Sequence, residues 1–157
     1  MLILAIDPGT FESAFLIWDT VTRQIGRFGK SPNLQVRELL LSMAYDCLVI
    51  EDVTSYGKAV GREVFDTCKW IGRFWETSGV EPDFVSRPRI KAHHCKSASA
   101  KADNVRAAMI ERFGKPGTAK QPGFTFGITK DIWSAFAIAI WKADQLDPTQ
   151  GLLRGGG

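Results

Sequence analysis

Leu2-Ile3-Leu4-Ala5-Ile6-Asp7-Pro8-Gly9-Thr10 opens the chain with an unbroken apolar run that ends in a carboxylate and a tight turn. Such a run, bounded by turn residues, is the pattern of a strand buried on both faces. The pattern returns at Cys47-Leu48-Val49-Ile50, again closed by acid, Glu51-Asp52. Between the two, Ser13 to Asp19 and Gln24 to Gly29 read as strands separated by a polar turn at Thr20 to Arg23, an antiparallel meander with the first. Leu34 to Ala44 follows as a helix. Beyond Glu51 the chain reads as a loop over Thr54 to Ala59, a long helix over Val60 to Thr77, and a fifth strand over Asp83 to Ser86 closed by Arg87-Pro88. Ala102 to Phe113 is predicted helical and stopped by Gly114 and Pro116. Lys115 to Gly127 is a loop, and the last helix runs from Asp131 to Ala143. The order β-β-β-α-β-α-β-α-α predicts an α/β fold: a mixed five-stranded central sheet with helices on both faces.

Composition bounds the rest. The 157 residues are 45% apolar and 24% charged, which suits one globular domain, expected over residues 1–150 with a glycine-rich tail at 151–157. A net charge of +3 excludes a wholly basic packaging protein but allows a local basic face. Cys47, Cys68 and Cys95 cannot all pair and show no CxxC spacing, which suits reduced thiols in the cytoplasm. No run reaches the roughly 18 apolar residues of a membrane helix, and Asp7 cuts the apolar start too early for a signal peptide. No membrane partner is expected.

The acids carry the chemistry. If the strands ending in Asp7 and Glu51 are parallel neighbours, both side chains meet at one sheet edge, the usual ligand edge of open α/β sheets. Asp131 opens the last helix, which could pack across that edge. Singly, each has an ordinary explanation: a turn residue before Pro-Gly, a strand-end surface acid, a favourable charge in a first helical turn. Together, three converging carboxylates would repel, and a hard cation such as Mg²⁺ relieves that through oxygen ligands. Two such ions about 4 Å apart suit phosphodiester cleavage.

In order and spacing, ILAIDPGT, LVIEDVTSYG and DIWSAFAIAIW resemble the RuvC family of Holliday-junction resolvases, within the RNase H-like superfamily, over about residues 2 to 142. The resemblance implies a homodimeric endonuclease, dependent on Mg²⁺ with Mn²⁺ able to substitute, that cuts two opposed strands of a four-way DNA junction. It carries the metal-binding role onto Asp7, Glu51 and Asp131. Where such enzymes commonly place a second acid on the last helix, this chain has Ser134, so the site reads as a three-carboxylate version with Asp103 as a weaker fourth candidate. Lys101 matches a lysine near the active site and is assigned a catalytic role on the scissile phosphate.

Arg87, Arg89, Lys91, Lys96 and Lys101 fall in a fifteen-residue stretch without acid, a run that is a solvated face by default and a phosphate-contacting one beside nuclease motifs. His93-His94-Cys95 lacks a second ligand pair for zinc and reads as a loop detail. Lys115, Lys120 and Lys130 flank the Gly/Pro loop. In the long helix, Val60, Val64, Cys68, Ile71 and Trp75 form the expected core stripe; Phe65, Trp70 and Phe74 fall off it and suggest a dimer interface. The loop Thr54-Ser55-Tyr56-Gly57-Lys58 would then lie near the junction centre, with Tyr56 able to stack on a base and Lys58 on phosphate. Other readings are a different RNase H-like nuclease acting on branched DNA or RNA–DNA hybrid, and a non-cleaving junction binder. Two-domain sugar-kinase or actin-like ATPases share the Asp-x-Gly-Thr turn but need a longer chain.

Overall fold

The computed structural model describes residues 1–147 and Thr149; the expected tail lies outside the described residues. Five strands, β1 (Leu2–Asp7), β2 (Glu12–Asp19), β3 (Gln24–Pro32), β4 (Cys47–Asp52) and β5 (Asp83–Ser86), form one mixed sheet in the order β3-β2-β1-β4-β5. β1 is central, antiparallel to β2 and parallel to β4, and β4 is parallel to β5. Because side chains alternate across a strand, β1 serves two cores. Ile3 and Ala5 face one core with Val49 of β4, and Leu4 and Ile6 face the other with Leu48 and Ile50.

The first core is closed by α5 (Ile132–Leu146), with α3 (Arg87–Cys95) and α4 (Ala102–Phe113) packed on it. From Ala135 to Trp141 every α5 residue is buried. Alanines on both sides of that contact (Ala5 and Ala14 against Ala135, Ala137 and Ala139) let the helix lie close to the sheet. Near the C-terminal end of α5, buried Asp144 takes both oxygens to Arg112 of α4, at 2.6 and 2.7 Å, and one to His93 of α3, at 2.7 Å. Burial alone would push its carboxyl up, but these partners hold it well below the usual carboxylate range. The second core lies under α1 (Asn33–Ser42) and α2 (Arg62–Ser78). Among the described residues no helix is long and apolar enough to cross a membrane.

Two expectations are corrected. The order is β-β-β-α-β-α-β-α-α-α, because a third helix stands where the sequence reads as strand closure and loop. Arg87-Pro88 does not break the chain. Pro88 sits in the first turn of α3, where its missing N–H costs nothing. The His93-His94-Cys95 segment is therefore helical, and its imidazoles serve packing: His94 Nε2 lies 2.8 Å from the Ala137 carbonyl oxygen and His93 meets Asp144.

The second correction concerns which side of α2 is inward. Phe74, expected at an interface, is fully buried with Ile71, and Trp70 packs partly against them. Phe65 and Trp75 remain 58% and 41% exposed, and Val60 and Cys68 are exposed as well. The helix carries two apolar stripes, and contact with α1 and β4 selects the one containing Phe74. Phe74→Ala should then lower unfolding free energy by about 3–5 kcal/mol, the usual cost of emptying a buried phenyl site. Chemical denaturation checks this, and a loss below about 1 kcal/mol would take the ring out of the core.

Candidate functional site

Sheet register assembles the site. Asp7 pairs with Ala14 of β2, and Ala14 pairs with Lys30 of β3. On the other side, Ile6 pairs with Ile50, so the next positions, Asp7 and Glu51, stand side by side; Glu51 pairs with Val85 of β5. Lys30, Ala14, Asp7, Glu51 and Val85 thus form one row across all five strands. Ala14 and Val85 belong to the core beneath α5, which fixes the whole row on that face.

The turn after Asp7 is held from behind. Buried Ser13 Oγ accepts from Gly9 N–H at 3.1 Å and donates to Asn33 Oδ1 at 2.6 Å, while Asn33 Nδ2 donates to the Gly9 carbonyl at 2.9 Å. A β-carbon at Gly9 would fall 2.3 Å from the Glu12 carbonyl oxygen, so only glycine fits. Thr10 Oγ1 ties the turn to α2 at the Glu63 carbonyl and the Thr67 hydroxyl, both at 3.3 Å.

Asp131 stands at the start of α5 and its charge raises the Asp7 carboxyl, while the Ser134 hydroxyl pulls it the other way. Burial first, and the Glu51 charge second, push the Asp7 carboxyl up to about 7. Burial also raises Glu51, against the opposing pull of Arg87. Two cations answer this charge. Arg87 directs Nη2 and Nε to Glu51 Oε1 at 2.7 and 2.8 Å, with Nη2 3.4 Å from Asp7 Oδ1. Lys30 Nζ lies 2.7 Å from Asp131 Oδ2 and 3.8 Å from Glu12 Oε2.

Two grooves flank the acids. One of about 770 Å³ runs past Pro8, Thr10, Tyr56 and Ser99; the other, about 350 Å³, is lined by Asp103, Arg106, Lys130, Asp131 and Ser134. Glu51, Arg87 and Lys91 border both.

The sequence-predicted residues therefore divide. Glu51, Asp131, Arg87 and Lys91 line one groove, Asp7 stands beside Glu51 and meets Arg87, and Tyr56 is 65% exposed at the mouth of the larger groove. Lys101 is exposed at the start of α4, and among the described residues no ion pair joins it to the acids. Arg89 places its guanidinium 5.4 Å from the Trp141 ring, further along α5. Lys96 caps the end of α3 in the left-handed region, and Lys58 is exposed in the loop before α2. Lys30 is the residue that sequence reasoning missed. Read as lying past the end of β3, it belongs to the strand, and only the β1-β2-β3 register puts it in the row with Asp7.

Asp7 and Glu51 offer desolvated oxygen donors that suit a hard divalent cation. As the side chains stand, with Arg87 and Lys30 on the acids, no group of three metal-ligating side chains is close enough to hold one among the described residues.

No protein-family model and no curated protein sequence matches the chain. Solved structures do. The chain is similar to RuvC of Thermus thermophilus at 13% identity, with 96% of this chain and 97% of the other covered and a TM-score of 0.66. It is likewise similar to Thermus thermophilus RuvC in complex with Holliday-junction substrate, at 14% identity, 95% and 96% coverage and a TM-score of 0.67. The fold is thus the RuvC-type, RNase H-like fold.

The raised Asp7 carboxyl sets a pH dependence. A carboxyl that titrates near 7 when folded, against 3.8 ordinarily, holds its proton more tightly in the folded state. Stability from this group is therefore full below the ordinary value, falls as pH rises between the two and is level above. Asp7→Asn should raise Tm over wild type at pH 8 and not at pH 4, measured in EDTA. An equal difference at both would remove the effect.

Proposed function

We propose that the protein is a divalent-metal-dependent endonuclease that cuts branched DNA, with the four-way junction as its substrate, and that it acts in the cytoplasm or on the nucleoid as a homodimer. The observation that carries this reading is the placement of Asp7 beside Glu51 at two parallel strand ends, with Asp131 lining a groove that Glu51 borders, in a fold shared with a junction-bound resolvase.

Asp7, Glu51 and Asp131 are the residues that would hold Mg²⁺ or Mn²⁺. The chemistry such an ion supplies when bound is polarisation of the phosphodiester and acidification of the attacking water. Asp7 and Glu51 are largely withdrawn from bulk solvent, so charge placed between them is little screened. Ser134 steadies the Asp7 carboxylate. The continuity of the two grooves over Glu51 gives one strand a path across the acids, with Lys91 bordering both halves as a phosphate contact. Lys101, Arg89, Lys96 and Lys58 add charge around that path. Tyr56 stands where a base leaving the helical stack could rest on its ring.

The dimer reading moves to the outer stripe of α2. Phe65, Cys68, Gly72 and Trp75 recur at three- and four-residue steps on its exposed side, and a β-carbon at Gly72 would meet nothing within 4 Å. A two-fold contact along that stripe would present two copies of the site to a two-fold junction. Phe65→Glu, which leaves the core untouched, should reduce the light-scattering mass to one chain, 17.4 kDa, and abolish paired cutting. An unchanged mass would move the interface elsewhere.

The test of the function is an end-labelled four-way junction, a linear duplex and an RNA–DNA hybrid, each incubated with Mg²⁺ or with Ca²⁺. Junction cutting in Mg²⁺ with binding alone in Ca²⁺ is expected. Asp7→Asn, Glu51→Gln and Asp131→Asn should each slow cutting by about 10²-fold or more, a typical loss for essential groups, and leave junction Kd within a few-fold. Junction binding without cutting in wild type would establish the non-cleaving alternative, and cutting of the hybrid in preference would establish the other.

A further inference from the structure

Resting on the metal-dependent reading above, we infer that Arg87 and Lys30 are resident counter-ions that compete with divalent metal for the three acids and are drawn off by nucleic-acid phosphate, so that metal loading is coupled to DNA binding. The geometry is that of a cap. The Asp7 and Glu51 side chains are 9% and 11% exposed, whereas the Arg87 side chain that covers them is 58% exposed. Arg87 therefore lies between the carboxylates and solvent, and it borders both grooves. At the other end of the row Lys30 pairs with Asp131 at 2.7 Å in the open, the acid side chain 52% exposed and the lysine 36%, so there the cation occupies the carboxylate without burying it.

The oxygens concerned are those a cation would need. Glu51 Oε1 accepts the Arg87 Nε–H and lies 2.7 Å from its Nη2, Asp7 Oδ1 accepts from the same Nη2, and Asp131 Oδ2 takes Lys30. A guanidinium and a metal ion cannot share one carboxylate lone-pair position. Without either, two desolvated carboxylates would stand side by side uncompensated, which is costly. The internal cations therefore keep the site assembled when no metal is bound.

A phosphate entering either groove changes the competition. Guanidinium presents a planar fork that matches phosphate oxygens as well as carboxylate oxygens. Arg87 can exchange one anion for the other by rotating an exposed side chain, with no movement of the sheet. The acids it leaves gain affinity for metal, and linkage requires that metal raise DNA affinity by the same factor. Arg87 and Lys30 are positioning residues in this scheme. They act through the acids, and α3 exists to deliver Arg87: its first residue directly follows Ser86, at the end of the strand beside Glu51.

The test uses the full chain. Mn²⁺ binding to the DNA-free protein is followed by the electron-paramagnetic signal of free Mn²⁺, for wild type, Arg87→Ala, Lys30→Ala and Arg87→Lys. Junction Kd is measured by fluorescence anisotropy in EDTA and in Ca²⁺. Losing one competing ion pair of about 1.4 kcal/mol should tighten Mn²⁺ binding roughly tenfold in Arg87→Ala, with Lys30→Ala shifted the same way and Arg87→Lys in between. The tightening of junction binding by Ca²⁺ should shrink in Arg87→Ala by a comparable factor. Tm in EDTA should fall in Arg87→Ala, and Mn²⁺ should raise it by more than in wild type. If Arg87→Ala does not fold, Lys30→Ala and Arg87→Lys carry the same comparison. Unchanged or weaker Mn²⁺ binding in the variants, with wild-type cutting intact, would overturn the counter-ion role alone. A wild-type protein that neither binds Mn²⁺ nor cuts would overturn both this role and the proposed function.

Discussion

Two carboxylates held side by side at the ends of neighbouring parallel strands are the constraint around which the molecule is organised. Asp7 and Glu51 project to the same face because their strands are in register, and their side chains are only 9% and 11% exposed. Like charges at low exposure do not stay together unaided. The sheet supplies rigidity by placing them on two paired parallel strands inside it, β1 and β4. The surroundings supply charge, with Arg87 on one side and Lys30 with Asp131 on the other.

The two ends of α5 show how differently an acid can be placed, Asp144 buried and Asp131 half exposed. At its C-terminal end, Asp144 has every oxygen engaged by Arg112 and His93, and the three side chains lock α3, α4 and α5 into one layer. That cluster is closed and purely structural. At its N-terminal end, Asp131 has an exposed lysine for a partner, and Asp7 and Glu51 share a guanidinium that is more than half exposed. Partners that can leave distinguish a site from a lock. Removing one partner of a buried pair is destabilising, so exchange is possible only where the cation can reach solvent or another anion without disturbing the core.

The region between strand β5 and helix α5 carries ten of the 20 Lys and Arg residues, and the fold sends those of its acid-free stretch in three directions. Arg87 and Lys91 look into the grooves, Arg89 lies over Trp141, and Lys96 and Lys101 stand at helix ends in solvent. A basic run in sequence is thus not one surface. A helix rotates each successive residue by about a third of a turn, and the hidden helix α3 is what separates neighbours Arg87 and Arg89.

Strand existence and the acids were legible in the sequence because their signals are local. Continuous apolar runs ending in Asp7 and Glu51 mark buried strands, and a strand that must be followed by a turn places its last residue at the sheet edge. The mixed sheet and its helical layers follow from the order of such segments. Two features were not legible. The first is α3, whose Arg-Pro start looks like a terminator unless the chain is already known to turn back over the sheet. The second is pairing register and helix rotation. Lys30 joins Asp7 only through a two-step ladder across β2, and Phe74 rather than Phe65 faces inward only because α2 settles against α1 and β4. Local sequence determines which side chains are apolar, charged or turn-forming; which of them meet depends on contacts distant in the chain, and those are decided by the tertiary structure alone.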